Sequence, residues 1–318
     1  GFVPAGAPIE GRLAKPLLRF PSAERIFAEL ASARQAATER SDAGRRAANV
    51  VAMWGSFDEL VADLQGPTRS LLDAFIPSGG KRTGDYGAGY AIRGDGYLNF
   101  RHANIALGED EQLTRQVLDR LLGAQILRRG FLFSCERCRW QAFYSIDIVG
   151  NSFTCQACSH SNKLMHGRWY KGDPEPTWYY SLDQIMRDLI RQNGDLPLLA
   201  SAKLKQGSHD FLWAPELIVE DSQGKIELDI CLIVDGRIVI GEAKSNGKLA
   251  SSDKNNKQAA IRLVRAARLL TADQIVLATS KKSWAPGAAD AVRAALGDLA
   301  AVEDVPIPEL IILEGVGQ

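Results

Sequence analysis

The sequence has 318 residues, of which 46% are hydrophobic and 24% are charged, and its formal net charge is zero. This is the composition of an ordinary soluble globular protein of two or three domains, and a zero net charge excludes an overall basic field. Any nucleic-acid surface must therefore come from local basic patches. No apolar run reaches the ~18 residues of a transmembrane helix and no signal peptide is recognisable, so we expect a cytoplasmic protein with no membrane partner.

Residues 1–77 are predicted to form a helical N-terminal region. Ser22 is placed to cap a first helix, and apolar residues recur at helical spacing from Val50 to Leu72. Nothing in this region indicates chemistry. We interpret it as a scaffold or as a region on which a protein partner docks.

Residues 78–134 are predicted to contain a glycine-rich loop and then a winged-helix-like unit. The many glycines between positions 79 and 96 indicate a flexible loop or a pair of turns. A strand over 98–103, a helix from Asp110 to about Leu122 and a strand over 131–133 are typical of the unit. Winged-helix units bind DNA in some proteins and only mediate protein contacts in others, so both interpretations stay open.

Four of the five cysteines form two C-x-x-C pairs separated by 16 residues. Four thiolates at this spacing bind Zn²⁺ tetrahedrally, and in a reducing compartment such pairs are metal ligands rather than disulfides. The arrangement resembles a zinc ribbon over residues 135–172. All four coordination positions are filled, so we expect the zinc to be structural. The Asp173-Pro-Glu-Pro176 segment is the best predicted linker. The predicted zinc ligands are Cys135, Cys138, Cys155 and Cys158.

Residues 225–244 are predicted to form a β-hairpin. Two runs rich in Ile, Val and Leu flank Asp235-Gly236, a dipeptide that favours a two-residue type I′ turn. With this loop, Asp229 lies opposite Glu242, and Lys244 points to the same face as Glu242. Two carboxylates this close repel each other, and a bound Mg²⁺ would remove the conflict. The adjacent lysine can hold a water through its ammonium or deprotonate it as the amine, so the three groups indicate metal-assisted hydrolysis of a phosphodiester. The alternative is a salt-bridged surface patch.

Asp229 followed by Glu242-Ala243-Lys244 resembles the active-site signature of the PD-(D/E)xK, or restriction-endonuclease-like, nuclease superfamily. The proline that usually precedes the first aspartate is Leu228 in this sequence. The resemblance implies that Asp229, Glu242 and the Ala243 carbonyl bind one or two Mg²⁺ or Mn²⁺ ions. It also implies that Lys244 orients or deprotonates the attacking water.

The resemblance covers residues 178–318, where the predicted order of elements, αβββαβ, is the core order of that α/β fold. Ser181-Leu-Asp-Gln184 is predicted to be a capping box that begins the first helix. The remaining predicted elements are strands over 211–220, 225–234 and 237–244, a helix over 253–270, a strand over 274–279, a helix over 288–296 and a strand over 309–313.

The helix over 253–270 carries a polar stripe that includes Gln258, Arg262 and Arg265. Many members of the superfamily place a Gln or a Lys on this helix beside the metal site, and Gln258 fits that role by analogy. The alternative interpretation is that the stripe is only a solvent-exposed face of the helix. The two arginines, together with Lys281 and Lys282, are candidate contacts to the substrate backbone. Glu216 and Asp183 are further candidate acids.

Together these features predict a Mg²⁺-dependent nuclease that hydrolyses DNA, with RNA not excluded. The ribbon and the winged-helix-like unit would locate or dock the substrate. Phage defence, restriction and repair are settings suggested by analogy alone. The alternatives are a non-catalytic binding protein and a subunit whose activity waits for a partner.

Overall fold

The structure is a computed structural model in which residues 21–78, 83–165, 177–250, 252–302 and 306–317 are described. The predicted linker and the end of the predicted ribbon lie outside these ranges. Over the described ranges the chain is a mixed α/β protein, as predicted. None of the helices in these ranges is long and apolar enough to cross a membrane.

The first three described helices of the N-terminal region begin at serine caps, including the predicted cap at Ser22. The Ser22 side chain accepts a hydrogen bond from the Arg25 amide at 3.4 Å, and Ser41 accepts one from the Gly44 amide at 2.8 Å. Such caps satisfy backbone donors that have no partner within the helix. The elements of this region are α1 (Ala23–Ala33), β1 (Ala37–Arg40), α2 (Asp42–Trp54), α3 (Phe57–Gln65) and α4 (Thr68–Ala74).

Strand β1 joins the N-terminal region to a sheet formed far along the chain. It pairs antiparallel with β11 (Leu217–Asp221), which pairs in turn with β12 (Gly224–Leu228). Leu60 of α3 also belongs to the same buried cluster as Ile230. The predicted helical region and the predicted nuclease-like domain therefore share a sheet and a core.

Over residues 83–98 the glycine-rich segment is not a flexible loop, but the alternative prediction of a pair of turns is met by the turns at 87–88 and 93–94, which connect three strands. The segment forms an antiparallel meander in which the tyrosines and aliphatic side chains of the second and third strands are buried. Burial of these side chains outweighs the low strand propensity of the glycines between them. The strands are β2 (Thr83–Tyr86), β3 (Gly89–Ile92) and β4 (Asp95–Leu98).

The strand predicted over 98–103 ends at Leu98. Asn99 caps a helix there, because its side chain accepts from the His102 amide at 3.0 Å and the His102 ring accepts from the Asn99 amide. The helix predicted from Asp110 to about Leu122 begins as expected, because the Asp110 side chain accepts a hydrogen bond from the Leu113 amide at 2.9 Å and caps it. The elements that follow β4 are α5 (Phe100–Ala106), α6 (Glu111–Gly123) and β5 (Leu127–Ser134).

The predicted capping box at Ser181 is also wrong. Ser181 lies in strand β9 (Tyr179–Leu182), which inserts between β4 and β5, and the helix cap is Asp183. Tyr179, Tyr180 and Leu182 are buried in this position, so strand pairing prevails over the local helix signal. The sheet has the order β2-β3-β4-β9-β5-β6, in which β6 is Gln141–Ser145. The short strands β7 (Ser152–Thr154) and β8 (Ser161–Lys163) pair separately.

The C-terminal part is built on a sheet of order β10-β13-β14-β15-β16. Strands β10, β13 and β14 are antiparallel, whereas β14, β15 and β16 are parallel. The predicted strands over 211–220 and 225–234 are each divided between this sheet and the sheet that contains β1. The elements are α7 (Gln184–Arg191), α8 (Asp195–Lys205), β10 (Phe211–Ala214), β13 (Ile230–Val234), β14 (Arg237–Ala243), α9 (Asp253–Leu269), β15 (Gln274–Ala278), α10 (Ala288–Val302) and β16 (Glu309–Leu313).

Both faces of this central sheet are buried, as the apolar residues on both sides of the hairpin predict. Leu232 and Val239 face a core shared with the N-terminal helices and α8. Their neighbours Cys231 and Ile240 face a second core, formed with α1, α9 and α10. Because successive side chains of each strand point to opposite faces of the sheet, the strands contribute to both cores, and the polar side chains of the site lie at the ends of the strands.

Candidate functional site

A tight turn sets the register of the hairpin that carries the predicted acids. Asp235 and Gly236 have φ of 49° and 77°, the left-handed conformation that a type I′ turn requires at both positions. Val234 pairs with Arg237, and the ladder continues to Ile230 and Gly241. Asp229 and Glu242 are the next residues outward, which is the predicted relation.

Asp229, Glu242 and Lys244 meet at the ends of these strands, and we call them the acid–lysine site. The Lys244 ammonium donates to Asp229 Oδ2 at 2.8 Å and lies 2.7 Å from Glu242 Oε2. The Ala243 amide also donates to Asp229 Oδ2 at 2.8 Å. The side chains of Asp229 and Glu242 are 11% and 18% exposed. The three groups that the sequence pattern brings together are therefore in direct contact in the folded protein.

The electrostatics of the site reflect two acids held close together. Burial raises the pKa of Glu242 to about 7, the charge of Asp229 adds to the rise, and Lys244 opposes it. Burial alone would lower the pKa of Lys244, but the charges of Glu242 and Asp229 outweigh burial and raise it. Lys244 is therefore an ammonium, and Glu242 takes up a proton near neutral pH.

Asp229 also lies at the junction of two sheets, which adds acids to its surroundings. It follows β12 directly and is one step beyond the Leu217–Leu228 pair, opposite Glu216. Glu216 accepts a hydrogen bond from the Ser41 hydroxyl at 2.5 Å. Burial, a hydrogen bond with Glu227 and the charge of Asp229 raise the pKa of Glu216 to about 8, although the Ser41 bond opposes the rise. Glu216 is among the predicted candidate acids, whereas Glu227 is not, although it lies two residues before Asp229 on the same strand face.

Two cavities flank the acid–lysine site, and Lys244 lines both. The first, the α2 cavity, has a volume of about 230 Å³ and is bounded by Glu216, Asp229, Arg46 of α2 and the turn between α7 and α8. The second, the α9 cavity, has a volume of about 430 Å³. Its polar lining is Lys225, Glu227, Glu242, Lys244 and Arg262. The site is therefore open to solutes from two sides.

The residues predicted on α9 have different surroundings. Arg262 is exposed and lines the α9 cavity. Arg265 is 17% exposed, pairs with Asp221 at 3.5 Å and donates to Gln223 Oε1 at 2.9 Å, so it ties α9 to the β11–β12 turn. Gln258 is exposed and, among the described residues, is not in the lining of either cavity.

The predicted lysines after β15 lie close to the segment that follows Lys244. The Thr279 hydroxyl donates to the Lys244 carbonyl at 2.7 Å, and the Ser280 hydroxyl donates to the Ser245 carbonyl at 3.1 Å. Lys281 and Lys282 come next and are exposed. Their backbone is thus positioned beside the site, and their side chains face solvent.

Four cysteines form a separate site, the cysteine cluster of Cys135, Cys138, Cys155 and Cys158. Their sulfur atoms all lie within 4.8 Å of one another, and two of the separations are 3.6 and 3.7 Å. Zinc–sulfur bonds of about 2.3 Å in a tetrahedron place the sulfurs about 3.8 Å apart, so the donor set fits Zn²⁺. The four cysteines therefore form a group that can hold a structural zinc.

The two C-x-x-C turns have the same backbone pattern. The amide of the first cysteine in each pair bonds to a carbonyl five residues on, from Cys135 to Trp140 and from Cys155 to His160. Buried Asn162 links the turns, because it accepts from the Glu136 amide at 2.7 Å and donates to the His160 carbonyl at 2.9 Å. Local hydrogen bonding thus aims the four thiols at one point.

No family model matches the sequence, and no curated protein matches it. Among solved structures, one similar chain is the crystal structure of protein VC1899 from Vibrio cholerae, with 12% sequence identity and a TM-score of 0.35. The match covers 90% of this chain and 57% of that chain. A similarity at this TM-score carries no argument about fold or function.

Proposed function

We propose that the protein is a Mg²⁺-dependent nuclease that cleaves phosphodiester bonds in DNA. The observation that carries the proposal is the contact of one ammonium with two largely buried carboxylates, at the boundary of two cavities. Oxygen donors of this kind are the ligands that Mg²⁺ prefers. Burial and the charge of Asp229 raise the pKa of Glu242 although Lys244 opposes the rise, so a bound cation would favour the ionised form of the acid.

In this proposal Asp229, Glu242 and the Ala243 carbonyl would hold Mg²⁺ or Mn²⁺. The bound ion would polarise the scissile phosphate and stabilise the charge that develops on it. Lys244 would orient the attacking water through its ammonium protons. Lys244 would serve as a base only when a bound cation neutralises the carboxylates of Glu242 and Asp229, whose charges raise its pKa.

Arg262 and Lys281 are proposed to contact the substrate backbone, with Lys282 beside them. Arg262 lines the α9 cavity, and the two lysines follow the strand end next to Lys244. Arg265 and Gln258 are not part of the proposed site. Arg265 binds residues of the β11–β12 turn, and Gln258 lies on the exposed face of α9.

The architecture gives this proposal further support. The elements α7, β10, β13, β14, α9 and β15 follow the order that the PD-(D/E)xK resemblance implies, with α8, β11 and β12 inserted. A zinc-bound cysteine cluster and a winged-helix-like unit from α5 to β5 would place the substrate. The core assignment and both substrate roles are part of the proposal.

The test is cleavage of supercoiled, linear and single-stranded DNA and of RNA, with and without Mg²⁺ or Mn²⁺. We expect metal-dependent cleavage by the wild type, and a loss of about 100-fold or more in Lys244→Ala and in Glu242→Ala. Circular dichroism should be unchanged in both variants, because the hairpin ladder does not depend on these side chains.

The matched control is Lys203→Ala, an exposed lysine on α8 that should leave the rate unchanged. Equal cleavage by wild type and Lys244→Ala would remove the site assignment. Binding of nucleic acid without cleavage would favour the non-catalytic alternative. Activity that appears only with added cell extract would favour a partner-gated subunit.

A further inference from the structure

Helix α2 is built directly onto the acid–lysine site. The Ser41 hydroxyl and amide bond to the side chain and the carbonyl of Glu216, at 2.5 and 3.2 Å. Gly44 packs so closely that a β-carbon there would lie 2.1 Å from the Glu216 carbonyl oxygen. These contacts set the helix position, so that Ala43 and Arg46, three residues apart on one face, both line the α2 cavity.

Arg46 differs from its neighbour in what its guanidinium contacts. Arg45 is paired with Asp42 at 2.6 Å and donates to the Arg40 carbonyl at 2.7 Å. Arg46 donates to the neutral side-chain oxygen of Gln192 at 2.6 Å. Among the described residues, no carboxylate lies within ion-pair distance of Arg46, so none of these residues neutralises its charge.

The charges that line the α2 cavity require such a cation. Asp229 would repel the phosphate of an approaching strand, Glu216 would add to the repulsion when it is ionised, and the ammonium of Lys244 is already shared between two carboxylates. An arginine on the opposite wall supplies both a charge and a planar fork of donors that matches phosphate oxygens. The Gln192 bond holds that fork in place without cancelling its charge.

We propose that Arg46 binds a backbone phosphate of the nucleic-acid strand next to the scissile bond, and that Gln192 positions it. This inference rests on the proposed nuclease function. It makes the N-terminal helical region a part of the substrate-binding site. The predicted contacts on α9 and after β15 would hold the strand on the other side of Lys244.

The test compares Arg46→Met with Arg45→Met, which removes an adjacent arginine from the same helix. Methionine keeps most of the apolar stem, so both variants should fold and melt like the wild type. Binding is measured by anisotropy of a short fluorescein-labelled single-stranded DNA, in a Lys244→Ala background with Mg²⁺ so that nothing is cleaved. Cleavage by the single variants is measured in parallel as kcat and KM.

We expect Arg46→Met to raise Kd about tenfold or more, because a hydrogen bond to a charged group is lost. The slope of log Kd against log salt should fall by about 0.7, which corresponds to one phosphate contact on a single strand. Arg46→Lys should recover part of the affinity. Arg45→Met should leave both quantities unchanged.

The outcomes separate this inference from the proposed function. The inference is overturned if Arg46→Met has the same KM as the wild type and leaves the Kd of the Lys244→Ala protein unchanged. This holds even if cleavage by the wild type is metal-dependent. Weaker binding by Arg46→Met together with no cleavage by the wild type supports the phosphate contact and removes the nuclease function. Wild-type protein that binds no DNA overturns both, and an equal loss in Arg45→Met assigns the effect to helix α2 as a whole.

Discussion

The cysteine cluster and the acid–lysine site both gather polar side chains at one point, but they are assembled in different ways. The four cysteines come from one short stretch, positioned by two similar turns and by Asn162. The acid–lysine site stands where two sheets meet, and a helix from the far end of the chain forms part of its wall.

This difference predicts what each site depends on. The strands beside the second pair of cysteines have three residues each, and the buried cluster there is small. We expect such a unit to depend on a bound metal for its folding. The acid–lysine site sits on strands whose two faces are covered by large cores, so its backbone holds without a metal.

The largest expected effect is the loss of zinc in Cys135→Ser. Metal analysis of the wild type should give about one zinc per chain, and the variant should have none, because a hydroxyl is a poor substitute for a thiolate. The apparent binding free energy of such sites is on the order of 10 kcal/mol and is part of the folding free energy. Hydrogen exchange should therefore rise in β7 and β8.

The same exchange experiment supplies the comparison. Amides of β13 and β14 should stay protected in Cys135→Ser, because their ladder belongs to another core. Wild-type protein without zinc would refute the assignment of the cysteine cluster. Loss of protection in β13 and β14 would show that the two sites fold as one unit.

A smaller effect is expected from Gly44→Ala, which acts on the acid–lysine site from a distance. The added β-carbon would meet the Glu216 carbonyl at 2.1 Å, so α2 must move away from β11. We expect destabilisation of about 1–3 kcal/mol in chemical denaturation and a reduced rate of cleavage, with zinc content unchanged.

The control is Gly123→Ala in α6, where an added β-carbon would have open space within 4 Å. Alanine there should be neutral or stabilise by about 0.5–1 kcal/mol, because it favours the helix. Equal stability of Gly44→Ala and wild type would mean that α2 does not pack on Glu216 as described.

The smallest effect is a pH dependence of stability in Mg²⁺-free, zinc-loaded protein. The pKa values of Glu242 and Glu216 are raised to about 7 and about 8, so the folded state binds their protons more tightly than the unfolded state. Stability should therefore fall as the pH rises from about 5 to 8. Mg²⁺ should reduce the fall, since it favours ionised carboxylates.

Denaturant titrations at several pH values measure how the free energy of unfolding changes with pH. No chelator is added, so that zinc stays bound. Glu242→Gln should flatten the curve, because the variant has one fewer group that releases a proton. Stability that rises over this pH range in the Mg²⁺-free protein would contradict the assigned environment of the two acids.

Features encoded by neighbouring residues could be predicted from the sequence. The Asp235-Gly236 turn defines its own backbone angles, and the hairpin register that follows brings Asp229 to Glu242. The spacing of the cysteines likewise requires only two local turns. Interactions within a few residues leave few alternative conformations, so the pattern is sufficient.

Features that depend on distant contacts could not be predicted. Ser181 has the sequence of a helix cap, but it lies in a strand because β4 and β5 cover the tyrosines beside it. The position of Glu227 on the same strand face as Asp229 is not enough to predict its role, since that role depends on the approach of Glu216 from the neighbouring strand.

The sequence by itself determined the hairpin, the acid–lysine trio and the cysteine pairs, because each is specified by local backbone preference and strand alternation. Only the tertiary structure decided that α2 adjoins the trio and that Arg46 lines its cavity. That arrangement requires β1 to pair with β11 across the chain, and no periodicity in either segment specifies a partner so far away.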